Sequence, residues 1–151
     1  GSPNFLPLGV QLELAICDIF LIAKVMLYFP KKEGDSVSES KLRDLSTDFA
    51  VKAIKLTETI HGHRSIVNQL ERSATSIGAN IREANYAHGK ADFIAKLQIA
   101  LKECYETEYW IEIFVKSDIL GREAARELYT LCGTIRRMLI SSINTAKEPK
   151  A

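Results

Sequence analysis

Cysteine is scarce and poorly spaced for chemistry: Cys17, Cys104 and Cys132 are odd in number and form no CxxC or CxH pattern. That excludes a closed disulfide framework and a zinc knuckle, and it fits a reducing, cytoplasmic setting. Proline is absent from residues 40–147, the four prolines falling at 3, 7, 30 and 149, so nothing in that stretch forbids long helices. An excess of either charge is also missing. With 20 Lys+Arg against 19 Asp+Glu and a net charge of +1, no global field draws the chain to nucleic acid or an anionic membrane, and any basic surface must be local. Histidine is equally sparse. Glu58 stands three residues before His61, but His63 and His88 have no such Glu, and one Glu-x-x-His is short of the two that a di-metal bundle uses. No catalytic signature, metal-ligand set or cofactor motif is found, and no small-molecule substrate is expected.

What remains is 151 residues, 46% of them hydrophobic, enough for one domain with an appendage. Residues 1–35 are an N-terminal hydrophobic segment and linker, 36–148 the main domain and 149–151 a tail. Within the first part, Phe5 to Pro30 has roughly the length of a membrane span, but Glu13, Asp18 and Lys24 interrupt it at positions costly in lipid. Membrane contact is therefore not expected. A fifth helix docking on the domain or on a neighbouring subunit is the favoured reading. A membrane-associated or signal-like segment and a non-native extension stay open, and Gly1-Ser2 has the look of a tag-cleavage scar.

Three breaks, at His61-Gly62-His63, His88-Gly89-Lys90 and Leu120-Gly121, divide the remainder into four segments. Apolar residues step by three or four in each, as one face of a helix requires. The first runs Leu42, Leu45, Phe49, Ala53, Leu56 and Ile60, with Ser36 and Glu39 placed for a capping box. The second runs Ile66, Leu70, Ala74, Ile77, Ile81 and Ala84, and the third Phe93, Leu97, Ala100, Cys104, Ile111 and Phe114. The fourth runs Ala124, Leu128, Leu131, Ile135 and Met138, with Leu139 and Ile143 widening the stripe. Long helices of matched length joined by short turns predict an all-α fold, an antiparallel up-down four-helix bundle with an extra N-terminal helical segment.

The second segment carries more than a core stripe. Arg72, Ser76, Asn80 and Glu83 line up as a polar row beside the apolar one, so the helix has two unlike neighbours. Ser73, Ala74, Gly78 and Ala79 are small, and a glycine in mid-helix, costing about 1 kcal/mol relative to Ala, implies close approach of another backbone. The third segment contributes Lys102, Glu103, Glu106 and Trp110. Together these eight residues are read as a buried or interface polar network, with Lys102 and Glu106 one turn apart and able to pair. Structural pairing of the acids with arginines such as Arg72 or Arg82 is the simplest use for them. Tyr105, Tyr109 and Trp110 are read as core or subunit-interface aromatics.

Residues 40–151 hold 17 Lys+Arg and 14 Asp+Glu, a mildly basic domain. Arg122, Arg126, Arg136 and Arg137 in the last segment are the candidate contacts for RNA or DNA phosphates. In sequence a single aromatic, Tyr129, falls among them, short of the regular interleaving that stacks single-stranded bases.

The run RSATSIGANIREANYAHGKADFIAKLQIALKECYETEYWIEI, residues 72–113, resembles the bacterial four-helix bundle proteins encoded in intervening sequences of 23S ribosomal RNA genes, also labelled S23 ribosomal proteins. The similarity extends from about Leu45 to Lys147. It implies an up-down bundle that assembles as a ring-shaped homopentamer, with a cellular role not established for the family. Relatives associated with diversity-generating retroelements serve as strongly basic accessory proteins to a reverse transcriptase, a charge this chain does not share. Many members carry Gly-Ser where this sequence has Lys102-Glu103. Two readings follow: a non-enzymatic homo-oligomer acting as an assembly or adaptor protein, and an accessory protein that binds RNA or DNA.

Overall fold

The computed structural model describes residues 37–149. The readings made of the N-terminal segment, of Cys17 and of a cap at Ser36 lie outside the described residues. Four helices follow in order: α1 Val37–Thr57, α2 Arg64–Ala84, α3 Lys90–Lys116 and α4 Arg122–Lys147. Each packs on the next, α1 also meets α4, and the backbones of the diagonal pairs stand farther apart. This is an up-down-up-down bundle, all-α among the described residues.

The breaks act as their chemistry dictates. Gly62 and His63 sit in the left-handed region at φ 81° and 52°, which lets the chain reverse between α1 and α2. At the other end, the His88 backbone N–H donates to the Asp92 carboxylate at 3.2 Å, tying down a donor beside the start of α3 and placing negative charge at its N-terminus. Lys90 Nζ donates to the Glu148 carbonyl at 3.1 Å, holding that start against the end of α4.

The core is built from the stripes. Phe49 of α1, Leu70, Ile77 and Ile81 of α2, Ile111 and Phe114 of α3, and Ile135 and Leu139 of α4 are its largest fully buried side chains. One expectation needs correction. Ala124 is exposed and Ala125 is buried in its place, whereas Leu128, Ile135, Leu139 and Ile143 are buried as expected and Cys132 joins them. Adjacent alanines carry the same apolar signal, and the packing phase of α4, fixed by Leu128 and Cys132, selects the second. Cys104 and Cys132 are free and buried, the Cys132 thiol lying 3.5 Å from the Cys104 carbonyl oxygen. Contact with Cys104 and burial push the Cys132 thiol far up from its ordinary range; as buried free cysteines, both pack as small hydrophobes.

Small residues set the spacing. A Cβ on Gly78 would stand 3.3 Å from Ser46 Oγ, so the missing side chain is what lets α2 approach α1. Between α2 and α3, the fully buried hydroxyls of Ser73 and Thr107 bond at 2.9 Å.

Candidate functional site

The polar row of α2 runs along its seam with α3. At one end, Arg72 reaches across to both Glu106 and Glu103, the latter at 3.5 Å. Trp110 Nε1 donates to the same Glu106 oxygen at 3.2 Å. The Arg72 guanidinium, followed by the indole N–H, holds the Glu106 carboxyl below its ordinary range; Glu106 in turn raises Arg72. At the other end, Lys96 Nζ bonds Glu83 at 2.5 Å. The expected one-turn pair Lys102–Glu106 is replaced by Arg72–Glu106, and Lys102 stands exposed. Lys before Glu is the weaker order on a helix, and a guanidinium that bridges two carboxylates is the stronger competitor.

Between these two charged fasteners the seam is only partly satisfied. Asn80 Nδ2 donates to the Ser76 carbonyl of its own helix at 2.8 Å. The register set by Ser73–Thr107 and Glu83–Lys96 places Ser76 level with Glu103 and Asn80 level with Ile99. Glu103 Oε2 is buried without a hydrogen-bond partner, and Ile99 is 41% exposed. A buried carboxylate oxygen without a donor is costly and calls for an explanation.

The opposite flank of α3, against α4, has a different character. Glu108, 11% exposed at its side chain, accepts from Arg136 Nε at 2.9 Å. The Arg136 guanidinium carbon sits 5.5 Å from the centre of the Tyr105 ring, within cation–π range. Glu108 is the main reason Arg136 is raised above its ordinary value. Gly133 makes room: a Cβ there would lie 3.4 Å from Arg137 Nη1 and 3.8 Å from Glu108 Oε1. One turn away, Tyr129 donates its hydroxyl to Glu112 at 3.1 Å, and that bond raises its pKa. Three tyrosines stand out of the surface here, Tyr105 at 51%, Tyr109 at 53% and Tyr129 at 40% exposed. Tyr109 packs edge-on against Trp110 at 5.0 Å, and Trp110 itself is half-buried. Neither Tyr105 nor Tyr109 is a core residue.

The four arginines of α4 do not share one environment. Arg136 is held by Glu108, and Arg126 lies 3.9 Å from Glu123. Arg137 is exposed, bonding only within its own helix to Thr134 at 3.1 Å, and Arg122 is exposed at the helix start. His61 and His63 are exposed in their loop, and no group of three metal-ligating side chains occurs among the described residues. No helix of the described residues is long and apolar enough to cross a membrane.

Sequence spacing did not reveal Glu108, Tyr129 and Glu112 as partners of one face, because Tyr105 and Arg136 lie 31 positions apart. The available signal was weak: Tyr105, Glu108 and Glu112 share one side of α3 at helical spacing.

Such features define an up-down bundle whose charged side chains fasten neighbouring helices, with aromatic and half-satisfied polar faces turned outward. The chain belongs to the 23S rRNA-intervening sequence protein family, whose model matches residues 38–141. It is similar to a crystal structure of a protein of unknown function from the S23 ribosomal protein family of Bacteroides thetaiotaomicron. The two share 40% identity and a TM-score of 0.68, over 72% of this chain and 99% of that one. No curated protein matches the chain.

Proposed function

We infer that the chain is a non-enzymatic, self-assembling helical bundle that serves as an assembly or adaptor protein. The observation that carries this is the exposed aromatic row Tyr105, Tyr109 and Tyr129 around the Glu108–Arg136 pair. Tyrosine and arginine are the residues that concentrate binding energy in protein interfaces, and this group is more than a solvated bundle surface requires. The bundle's carboxylates support the same reading. Glu83, Glu103, Glu106 and Glu108 pair with Lys96, Arg72 and Arg136 across helix seams, a structural use that leaves them poorly suited to acid–base work. Size-exclusion chromatography with light scattering tests the reading. The expected result is a discrete multimer at micromolar concentration, a homopentamer if the family resemblance extends to stoichiometry. A stable monomer overturns it.

A second reading, RNA or DNA binding, has one observation in its favour. Tyr105 stands beside Arg136 and Tyr129 lies on the same face, so aromatics and arginines interleave in space, although in sequence only Tyr129 falls among the arginines. Ring assembly would multiply such a patch. Retention of labelled single-stranded RNA that falls with salt and disappears in Arg136→Ala/Arg137→Ala supports it; retention unchanged by both substitutions removes it.

A further inference from the structure

Self-assembly leaves open which surfaces meet, and two outward helix rows supply an answer. On α1, Asp44, Val51 and Glu58 follow one another at two-turn intervals on one exposed line. Glu58 comes just after the last residue of the helix, and its backbone N–H still donates to the Ile54 carbonyl at 3.1 Å. On α3, Lys102, Tyr109 and Lys116 form an exposed line of the same spacing. One row is acid, apolar, acid; the other is base, aromatic, base. Val51 is 46% exposed and Tyr109 53%. The side chains of Asp44, Glu58 and Lys102 make no hydrogen bond or ion pair among the described residues. Lys116, 80% exposed, only approaches Glu112 of its own helix at 4.0 Å. α1 and α3 are diagonal in the bundle, and their outward faces point away from each other, so the two rows cannot meet within one chain.

We propose that the α1 row of one copy seats on the α3 row of the next, with Asp44 against Lys102, Val51 against Tyr109 and Glu58 against Lys116. The proposal rests on the self-assembling reading above and names its contact. Rows that repeat every seven residues stay in step along a pair of parallel helices, and all three pairs share one register. The surrounding groups agree with it. Lys55 comes within one residue of the level of Glu112, and Ile54, 41% exposed, within one residue of half-buried Ile113. Glu106 is already held by Arg72 and Trp110. Asp48, level with Glu106, is on the α4 side of α1, whereas Glu106 is on the α2 side of α3, so these two acids fall at opposite edges of the contact. Because α1 and α3 run the same way in the bundle, copies joined in this manner keep one orientation. A contact between two unlike surfaces repeats from copy to copy until it closes a ring or extends as a filament.

Charge reversal in the full-length chain tests the contact, followed by light scattering over a dilution series. Asp44→Lys/Glu58→Lys on one row and Lys102→Glu/Lys116→Glu on the other should each weaken association by about tenfold or more, and the four changes together should restore it to within about threefold of the parent. All four sites are exposed, so the helical circular-dichroism signal and the melting temperature should stay those of the parent, which separates lost contact from lost fold. Val51→Asp should weaken association in the same direction and should not be rescued by the reversals. Arg64→Glu/Arg122→Glu alters the net charge as much as the lysine reversal does, at exposed sites off both rows, and should leave association unchanged. A multimeric parent whose dissociation is indifferent to either row's reversal, or a fourfold variant that fails to rescue, overturns the proposal while the scaffold reading stands. A parent that is monomeric at about 100 μM overturns the scaffold reading itself.

Discussion

The Ser46 hydroxyl oxygen of α1 stands 3.3 Å from the point a Cβ on Gly78 of α2 would occupy, with the Ser46 carbonyl oxygen at 3.5 Å. Gly78→Ala gains up to about 1 kcal/mol of helix propensity, but Ser46 must yield a few tenths of an ångström. The expected net effect is within about 1 kcal/mol of zero. Gly78→Leu has no such room and should destabilise by about 2–3 kcal/mol through overpacking. Urea denaturation of both variants checks the pair.

Glu106 gives a pH-dependent contribution of known sign. Arg72 and the Trp110 indole depress its pKa below the ordinary 4.5. The stability it contributes is therefore present above pH 4.5 and is lost as pH falls through the depressed value. The melting-temperature gap between the parent and Glu106→Gln should be constant from pH 7 to about 5 and close below that. Because Arg72 is half exposed, the gap should be small and should shrink in high salt. A gap that widens on acidification would contradict the assignment.

Glu108 and Arg136 are the more enclosed pair. Glu108→Ala leaves the guanidinium without its acceptor and should cost about 1–3 kcal/mol. Replacing both by leucine should recover much of that loss, because an apolar pair strands no polar group. Thermal melts of the parent, Glu108→Leu, Arg136→Leu and the double variant form a double-mutant cycle, and additive losses would mean the two residues act independently.

Asn80 separates fold from assembly. Its amide bonds only the Ser76 carbonyl of its own helix, so removing it strands no group of another helix. Asn80→Ala should change the stability of the isolated chain by less than about 1 kcal/mol, with improved helix propensity offsetting the lost bond. If the α2–α3 seam is a contact surface, the same substitution weakens association. Melting at low concentration and light scattering at high concentration read the two effects separately.

The bundle itself was legible because an apolar period of three to four residues is a local property. Leu70, Ala74, Ile77, Ile81 and Ala84 are all buried as their spacing required. Gly78 and its small neighbours announced a close approach, which Ser46 supplies. Phase was less secure where identical residues adjoin, hence Ala125 in place of Ala124. Pairing across seams was the hardest to read. Lys102 is Glu106's neighbour along the helix, but Arg72 is its neighbour in space. Arg82, a candidate partner for an acid, extends toward the Thr47 hydroxyl at 3.4 Å. Such choices depend on the register between helices, and no stretch of contiguous sequence encodes that register.

The seam between α1 and α4 is the loosest in the bundle. A groove of about 630 Å³ lies there, with Leu45, Leu131, Asp48, Lys52, Arg126 and Glu127 among the residues lining it. The Lys52–Glu127 pair that spans it is exposed and holds little. These are the first and last helices of the bundle, so their meeting closes the longest loop in it and comes late in folding. The bundle should therefore open like a book along this spine, with amides of α1 exchanging deuterium well before those of α2 and α3.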